Sequence, residues 1–151
     1  MSQAETFSVT AAAALAGLPR GTLAAWRHRG HAKGEGEGWA LVDVLGLALA
    51  AELARVGLRP AAARAVARAA RGAWGRVLAR QPGGARRLIL VARRDDPGSG
   101  LGADPASAGG GWVAEVFEAR SLPPPAAVPV LQVDLGAIAR EVLSRLAATR
   151  A

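Results

Sequence analysis

The sequence has no cysteine and no tyrosine, and it contains only one lysine, two histidines and two phenylalanines among its 151 residues. Without cysteine, disulfides, thiolate metal sites and cysteine nucleophiles are excluded. No run of about 18 apolar residues predicts a membrane-spanning helix. The first residues also lack the basic segment and apolar segment of a secretory signal. We therefore expect a soluble bacterial protein of the reducing cytoplasm.

Residue patterns that support catalysis are also scarce. The sequence contains neither a Gly-x-Ser-x-Gly elbow nor a phosphate-binding Gly-Lys-Ser/Thr loop. His28 and His31 are close in sequence, but no acidic or sulfur ligand nearby completes a metal shell. The glycine-rich segment from Gly98 to Gly102 lies between two predicted strands, with no helix after it to bind a dinucleotide phosphate. We expect a protein that is not an enzyme and uses no metal or cofactor.

Positive charge is concentrated in the first part of the chain. The net charge is +7, and every basic residue except Lys33 is an arginine. Residues 1–94 carry 15 basic and 5 acidic side chains, whereas residues 95–151 carry 4 basic and 7 acidic ones. This asymmetry suggests that the first part meets a polyanion. A solvated, arginine-rich surface encoded by GC-rich DNA is the alternative.

The segment Gln81-Pro82-Gly83-Gly84 breaks the pattern of the chain and predicts a domain boundary. We divide the protein into residues 1–80 and residues 81–151. The predicted fold class is α+β. A mostly helical first domain is followed by a small α/β module of about three strands and a C-terminal helix.

The first 30 residues predict two short helices joined by a tight turn. Gly17 suits the left-handed C-cap of the first helix, and Pro19 suits the first turn of a second helix that runs to about Arg29. Leu23 and Trp26 are three residues apart and share one face of the second helix, which would pack on the first. Two helices of this length joined through a glycine have the outline of a helix-turn-helix.

Two further helices are predicted in the first domain. Asp43 is the expected N-cap of the third helix, and Pro60 lies in the first turn of the fourth. Arginines spaced four and three apart give the fourth helix a basic stripe. A weak continuation of this helix is predicted over residues 74–80. The expected core residues of the third helix are Leu45, Leu49, Leu53 and Val56, and the stripe consists of Arg64, Arg68 and Arg71.

The second module predicts three strands and one well-defined helix. The strands are expected over residues 86–94, 112–118 and 128–133. Asp134 is the expected cap of the last helix, whose apolar side chains recur at a helical period and predict an intramolecular core. Leu143 lies off this face and is the candidate for contact with another subunit. The predicted core positions are Leu135, Ile138, Ala139, Val142 and Leu146.

The second helix carries the residues best suited to DNA. Arg20, near its N-terminus, can pair with the O6 and N7 atoms of guanine, and the small Gly21 and Ala24 allow a close approach to a groove. Thr22 and the first-turn amides suit a phosphate. Basic residues around the helix end and on the fourth helix suit the flanking backbone. The predicted DNA-binding residues are Arg20, Thr22, Arg27, His28, Arg29, Lys33, Arg64 and Arg68.

The turn Gly17-Leu18-Pro19, the pair Thr22-Leu23 and the later Gly38-Trp39 follow one another at a recognisable spacing. In these features residues 6–70 resemble the MerR-type winged helix-turn-helix DNA-binding domain, in which Gly38-Trp39 would lie at the end of the wing. Asp43-Val44-Leu45 opens the third helix as in the family, and residues 53–59 resemble its turn into the fourth helix. Trp26 and Gly30 also match. The resemblance implies a winged-helix fold with the second helix in the major groove.

This sequence departs from the family pattern at positions that usually touch DNA. Ala24-Ala25 replaces an Arg-Tyr pair, and Ala40 replaces the arginine after the wing aromatic. The long dimerisation helix of the effector-sensing members is replaced by the second module. The protein would then either bind DNA with fewer direct contacts or depend on Arg20, on Arg27 and Arg29 at the helix end and on the Arg64 stripe.

The sequence therefore predicts a transcriptional regulator that binds a specific double-stranded DNA sequence. The second module would form a homodimer or recruit a protein partner. One alternative is an architectural DNA-binding protein, since excisionases and phage terminase small subunits resemble the same winged-helix type. The other alternative is a protein–protein adaptor whose helix-turn-helix has lost DNA binding.

Overall fold

The computed structural model describes residues 5–30, 32, 38–79, 87–94, 112–119 and 130–151. Over these residues the protein is a mixed α+β fold, which confirms the predicted class at that level. None of the helices in these ranges is long and apolar enough to cross a membrane. In chain order the elements are β1 (Thr6–Phe7), α1 (Val9–Ala16), α2 (Arg20–His28), β2 (Trp39–Ala40), α3 (Leu41–Arg55), α4 (Pro60–Ala69), a 3-10 turn (Arg71–Ala73), α5 (Trp74–Ala79), β3 (Arg87–Arg94), β4 (Trp112–Ala119), β5 (Val130–Asp134) and α6 (Leu135–Arg150).

The turn between α1 and α2 forms as its residues predict. The Ser8 hydroxyl accepts the Ala11 amide at 3.2 Å and caps the start of α1. At the other end, Gly17 adopts φ +72°, and the amides of Gly17 and Leu18 donate to carbonyls of the last turn. This is the Schellman arrangement, which uses a left-handed residue to satisfy helix-end carbonyls.

Gly17 also has a long-range neighbour. A Cβ atom at this position would lie 2.9 Å from Nη1 of Arg145, which comes from α6. That same Nη1 donates to the Leu15 carbonyl at 3.0 Å. The end of α1 is therefore held both by its own turn and by a guanidinium from the last helix.

Replacing Gly17 by alanine is expected to lower the free energy of unfolding by about 1–2 kcal/mol, because an L-residue with a Cβ is strained at positive φ. The Arg145 side chain would also have to move. Gly46→Ala, inside α3, is the matched control, since a Cβ there meets no atom within 4 Å. This control is expected to raise the free energy of unfolding by about 0.5–1 kcal/mol. Urea unfolding of both variants checks the prediction, and equal effects at the two positions would contradict it.

Helix α2 is attached through one narrow face. Leu23 is fully buried and Trp26 is 6% exposed, as the three-residue spacing predicts. The helix begins at Arg20, with Pro19 as the N-cap rather than the first helical residue, and ends at His28. These shifts of one residue leave the predicted face unchanged.

A two-residue ribbon closes the N-terminal part of the fold. Strands β1 and β2 pair antiparallel, with Phe7 opposite Trp39. Both aromatic side chains are buried. The predicted wing between Gly30 and Trp39 falls largely on residues 31 and 33–37, outside the described ranges.

Two predictions for α3 are wrong in detail. The helix begins at Leu41, so Asp43 is not the N-cap; its Oδ2 instead accepts the Ala40 amide at 3.1 Å from the third helical position. Val56 is not core but 52% exposed, because α3 ends at Arg55 and Val56 lies in the C-terminal turn. Leu45, Leu49 and Leu53 are fully buried, as predicted.

The chain does not continue α4 directly after residue 69. A 3-10 turn at Arg71–Ala73 separates α4 from the short helix α5. Trp74, at the start of α5, is 1% exposed and joins the core. Gly75 and Arg76, the next two residues, are exposed.

The second part of the chain forms an antiparallel sheet and a helix. The strand order is β4-β3-β5, with β3 paired to both neighbours. Asp134 caps α6 as predicted, accepting the amides of Gly136 at 2.9 Å and Ala137 at 3.2 Å. Leu135, Ile138, Ala139 and Val142 are buried, and Leu146 packs against them, which confirms the predicted core face of this helix.

One core cluster contains residues from both sides of the predicted domain boundary. Leu45 and Leu53 of α3 belong to the same cluster as Leu90 of β3 and Leu135 of α6. Helix α6 contacts α1, α3 and α5 as well as β3. The division at residues 80 and 81 stays a prediction, and the continuous core provides a way to test it.

Candidate nucleic-acid interface

The outward face of α2 is cationic and built on a rigid inner face. Arg20, Arg27 and His28 are exposed, whereas Leu23 and Trp26 are buried and hold the helix against the core. Arg20 and Arg27 are seven residues apart, which places them on one face about 10 Å apart along the helix axis. That separation spans about three base pairs of B-form DNA.

Small side chains lie between these basic groups. Gly21 and Ala24 are exposed, and a Cβ at Gly21 would meet no atom within 4 Å. The glycine is therefore not required by packing. Because Gly21 has no side chain and Ala24 has a small one, a partner can approach the helix backbone closely here.

Within the described ranges, the N-terminus of α2 has no side-chain cap, which suits the binding of a phosphate. No side chain of the described residues caps it, since Pro19 at the N-cap has no side-chain donor or acceptor. The carbonyl of Pro19 accepts the amides of Thr22 at 3.0 Å and Leu23 at 3.2 Å. Thr22 itself is half-buried rather than exposed. Helix N-termini favour anions because their first amides point outward.

Arg64, one of the predicted DNA-binding residues, donates a hydrogen bond to the chain at the end of α2. Gly30 adopts φ +72°, and its carbonyl accepts a hydrogen bond from Nη1 of Arg64 on α4. Partial burial, together with the neighbouring Arg68 guanidinium, lowers the pKa of Arg64. Arg29 lies just before this turn and is exposed. Arg64 therefore connects α4 to the chain that leaves α2.

The other two members of the predicted stripe differ from Arg64 and from each other. Arg68 is exposed, whereas Arg71 donates to Oδ1 of Asp43 at 2.7 Å. The Asp43 side chain is only 4% exposed, so this carboxylate is held inside while the guanidinium remains half-exposed. A hollow of about 160 Å³ lies beside these groups, with Trp39 in its wall. In the predicted stripe, Arg64 and Arg71 therefore make hydrogen bonds within the protein, whereas Arg68 is exposed to solvent.

Most of the predicted site residues therefore lie on two neighbouring parts of the fold. Arg20, Thr22, Arg27, His28 and Arg29 are on or directly after α2, and Arg64 and Arg68 are on α4. The Arg64–Gly30 hydrogen bond links the two groups. Lys33 falls outside the described residues. Sequence reasoning missed Asp43 as the internal partner of Arg71, and no local pattern signals a pair 28 residues apart.

Neither a scan against models of known protein families nor a search of curated proteins found a match for this chain. The MerR-type resemblance therefore stays a prediction that depends on the residues quoted for it.

Proposed function

We propose that this protein binds a specific double-stranded DNA sequence and regulates transcription, with α2 in the major groove. The observation that carries the proposal is the outer face of α2. It exposes Arg20 and Arg27 around the low surface at Gly21 and Ala24, and it is held by the buried Trp26. A rigid helix with arginines on one face is suited to reading base edges, because arginine pairs bidentately with guanine.

The proposal also assigns roles to the segment after α2 and to the arginines of α4. In a winged helix-turn-helix of the MerR type, the segment after α2 would form the wing and meet the backbone next to the groove. Arg29, His28 and Lys33 would contact phosphates there. Arg68 on α4 is exposed and would neutralise a further phosphate. Arg64, through Gly30, would position the start of the wing rather than carry charge to the DNA.

The second part of the chain would pair two copies. Leu143 on α6 is 40% exposed and Phe117 on β4 is 48% exposed, and both are large apolar side chains. A twofold dimer would place two α2 helices about 34 Å apart, one turn of B-form DNA. Its target would then be a near-palindromic sequence.

The test is fluorescence anisotropy with the duplex from upstream of the protein's own gene and a shuffled duplex of equal composition. The expected result is a preference of about 1,000-fold for the native duplex at physiological salt. Equal affinity for both duplexes, falling steeply between about 50 and 200 mM salt, would contradict sequence-specific regulation. Bending at several adjacent sites would instead favour the architectural role.

A further inference from the structure

A cleft of about 590 Å³ lies between the end of α1, the second half of α3, β5 and the first half of α6. We call it the α3–α6 cleft. Its volume is within the range of roughly 300–1,000 Å³ typical of small-molecule sites. Its apolar floor is formed by Ala48 and Ala51 of α3 and by Ala137 and Ile138 of α6, each of which keeps some exposed surface. This surface lies away from the hollow beside Arg68 and shares no lining residue with it.

Two ion pairs from different helices stand over this apolar floor. On α3, Nε of Arg55 donates to Oε2 of Glu52 at 3.0 Å. On α6, Arg145 pairs with Glu141. The hydrogen bond and charge of Glu52 raise the pKa of Arg55, and Glu141 adds a smaller attraction from the other helix. Two guanidinium groups and the two carboxylates paired with them therefore share one small region, and the third carboxylate of the lining, Asp134, accepts the first amides of α6.

These groups keep capacity for a ligand. A guanidinium has five N–H donors, and the bonds from Arg55 to Glu52 use only its Nε and Nη2 atoms. The Arg55 and Glu141 side chains are 73% and 60% exposed, so they are open to an incoming molecule. An anion alone would meet two carboxylates, and a cation alone would meet two guanidinium groups. A molecule that carries both charges, with an apolar body, would match both the rim and the floor.

We propose that the α3–α6 cleft binds a small zwitterion with an apolar side chain, namely an α-amino acid. Its carboxylate would lie on the guanidinium groups of Arg55 and Arg145, and its ammonium group on the carboxylates of Glu52 and Glu141. Its side chain would cover the floor formed by α3 and α6. Whether the cleft binds an amino acid does not depend on whether the protein binds DNA.

Binding of a ligand in the cleft would also change the surroundings of the turn between α1 and α2. Arg145 lines the cleft, and its Nη1 donates to the Leu15 carbonyl at 3.0 Å. The same guanidinium lies against Gly17, which itself lines the cleft. A carboxylate that binds Arg145 changes the surroundings of the turn between α1 and α2. The amides of Gly17 and Leu18 therefore report on the cleft directly.

The experiment is a titration of the full chain, without DNA, by isothermal calorimetry and by ¹H–¹⁵N spectra. The probes are leucine, methionine and phenylalanine, with 4-methylpentanoate and 3-methylbutylamine as analogues of leucine that each lack one charge. At least one amino acid is expected to bind one-to-one with a Kd of about 1 mM or tighter. The single-charge analogues are expected to bind at least about tenfold more weakly, because each loses one set of charge-assisted hydrogen bonds. The Gly17 and Leu18 amide signals should shift during the same titration.

Two variants locate the binding, and a third controls for charge. Ala137→Trp places a large side chain in the cleft from an exposed position of α6, and it is expected to abolish binding. Arg55→Gln is expected to weaken binding at least about tenfold. Arg76→Gln makes the same charge change on the exposed face of α5, outside the cleft, and is expected to leave binding unchanged. No binding of any of the three amino acids at about 10 mM, or binding that survives both Ala137→Trp and Arg55→Gln, would overturn the proposal.

Discussion

Replacing both Arg20 and Arg27 by alanine is expected to weaken specific DNA binding at least about 100-fold while leaving the unfolding midpoint nearly unchanged. A bidentate arginine–guanine contact contributes about 1–3 kcal/mol of discrimination, and about 2.7 kcal/mol corresponds to a factor of 100 in affinity. Both side chains are exposed on α2, so their loss leaves no cavity. Alanine is also the best helix former, so α2 should stay intact.

Anisotropy on the native and shuffled duplexes measures this effect, and thermal unfolding checks that the fold is intact. Two Arg-to-Ala replacements away from α2 provide the matched control, and Arg59 and Arg76 are both exposed there. This control double variant removes the same charge and should retain the preference for the native duplex. If the two double variants lose affinity equally, net charge accounts for the binding and α2 does not read the sequence.

Replacing Leu135 by alanine is expected to destabilise the whole described fold by about 2–5 kcal/mol, because it leaves a cavity at a fully buried position. Leu135 begins α6, in the second part of the chain, yet it belongs to the same core cluster as Leu45 and Leu53 of α3. The replacement should therefore lower the stability of the helix-turn-helix as well. One cooperative transition is the expected behaviour.

Tryptophan fluorescence distinguishes the two parts once Trp112 of β4 is replaced by phenylalanine, since the remaining Trp26, Trp39 and Trp74 all lie before the predicted boundary. In Leu135→Ala, fluorescence and far-ultraviolet circular dichroism are expected to report the same, lowered denaturation midpoint. Ser144→Ala is the control on the same helix, because Ser144 is exposed and its replacement should change the free energy of unfolding by only about 0.5 kcal/mol. A Leu135→Ala protein that loses dichroism while its fluorescence transition stays in place would show that residues 1–80 fold independently.

Local patterns predicted the local structure well. Gly17 and Asp134 cap their helices as predicted, and Leu23 with Trp26 forms the buried face of α2. Such features depend on neighbours within a few residues, so the sequence displays them directly. Asp43 and Val56 were assigned wrongly because α3 begins and ends earlier than its apolar period suggests.

Contacts between distant residues were not predictable in this way. The Arg71–Asp43 pair and the Arg64–Gly30 hydrogen bond depend on how α4 crosses the rest of the fold. Spacing along a helix predicts that arginines share a face, but it does not predict which of them meets a partner across that face. The α3–α6 cleft was missed for the same reason, because its walls are far apart in sequence.

The tie between Arg145 and the Leu15 carbonyl joins residues 130 positions apart, and it has a consequence for how the protein is made. During synthesis, α1 and α2 leave the ribosome before α6. The face of α1 and α3 that α6 covers stays open until Leu135, Ile138 and Val142 have emerged. Contacts of such long sequence separation form late because a long loop must close before they are gained. The helix pair proposed to read DNA is thus synthesised well before α6, yet it is fully packed only after α6 has emerged.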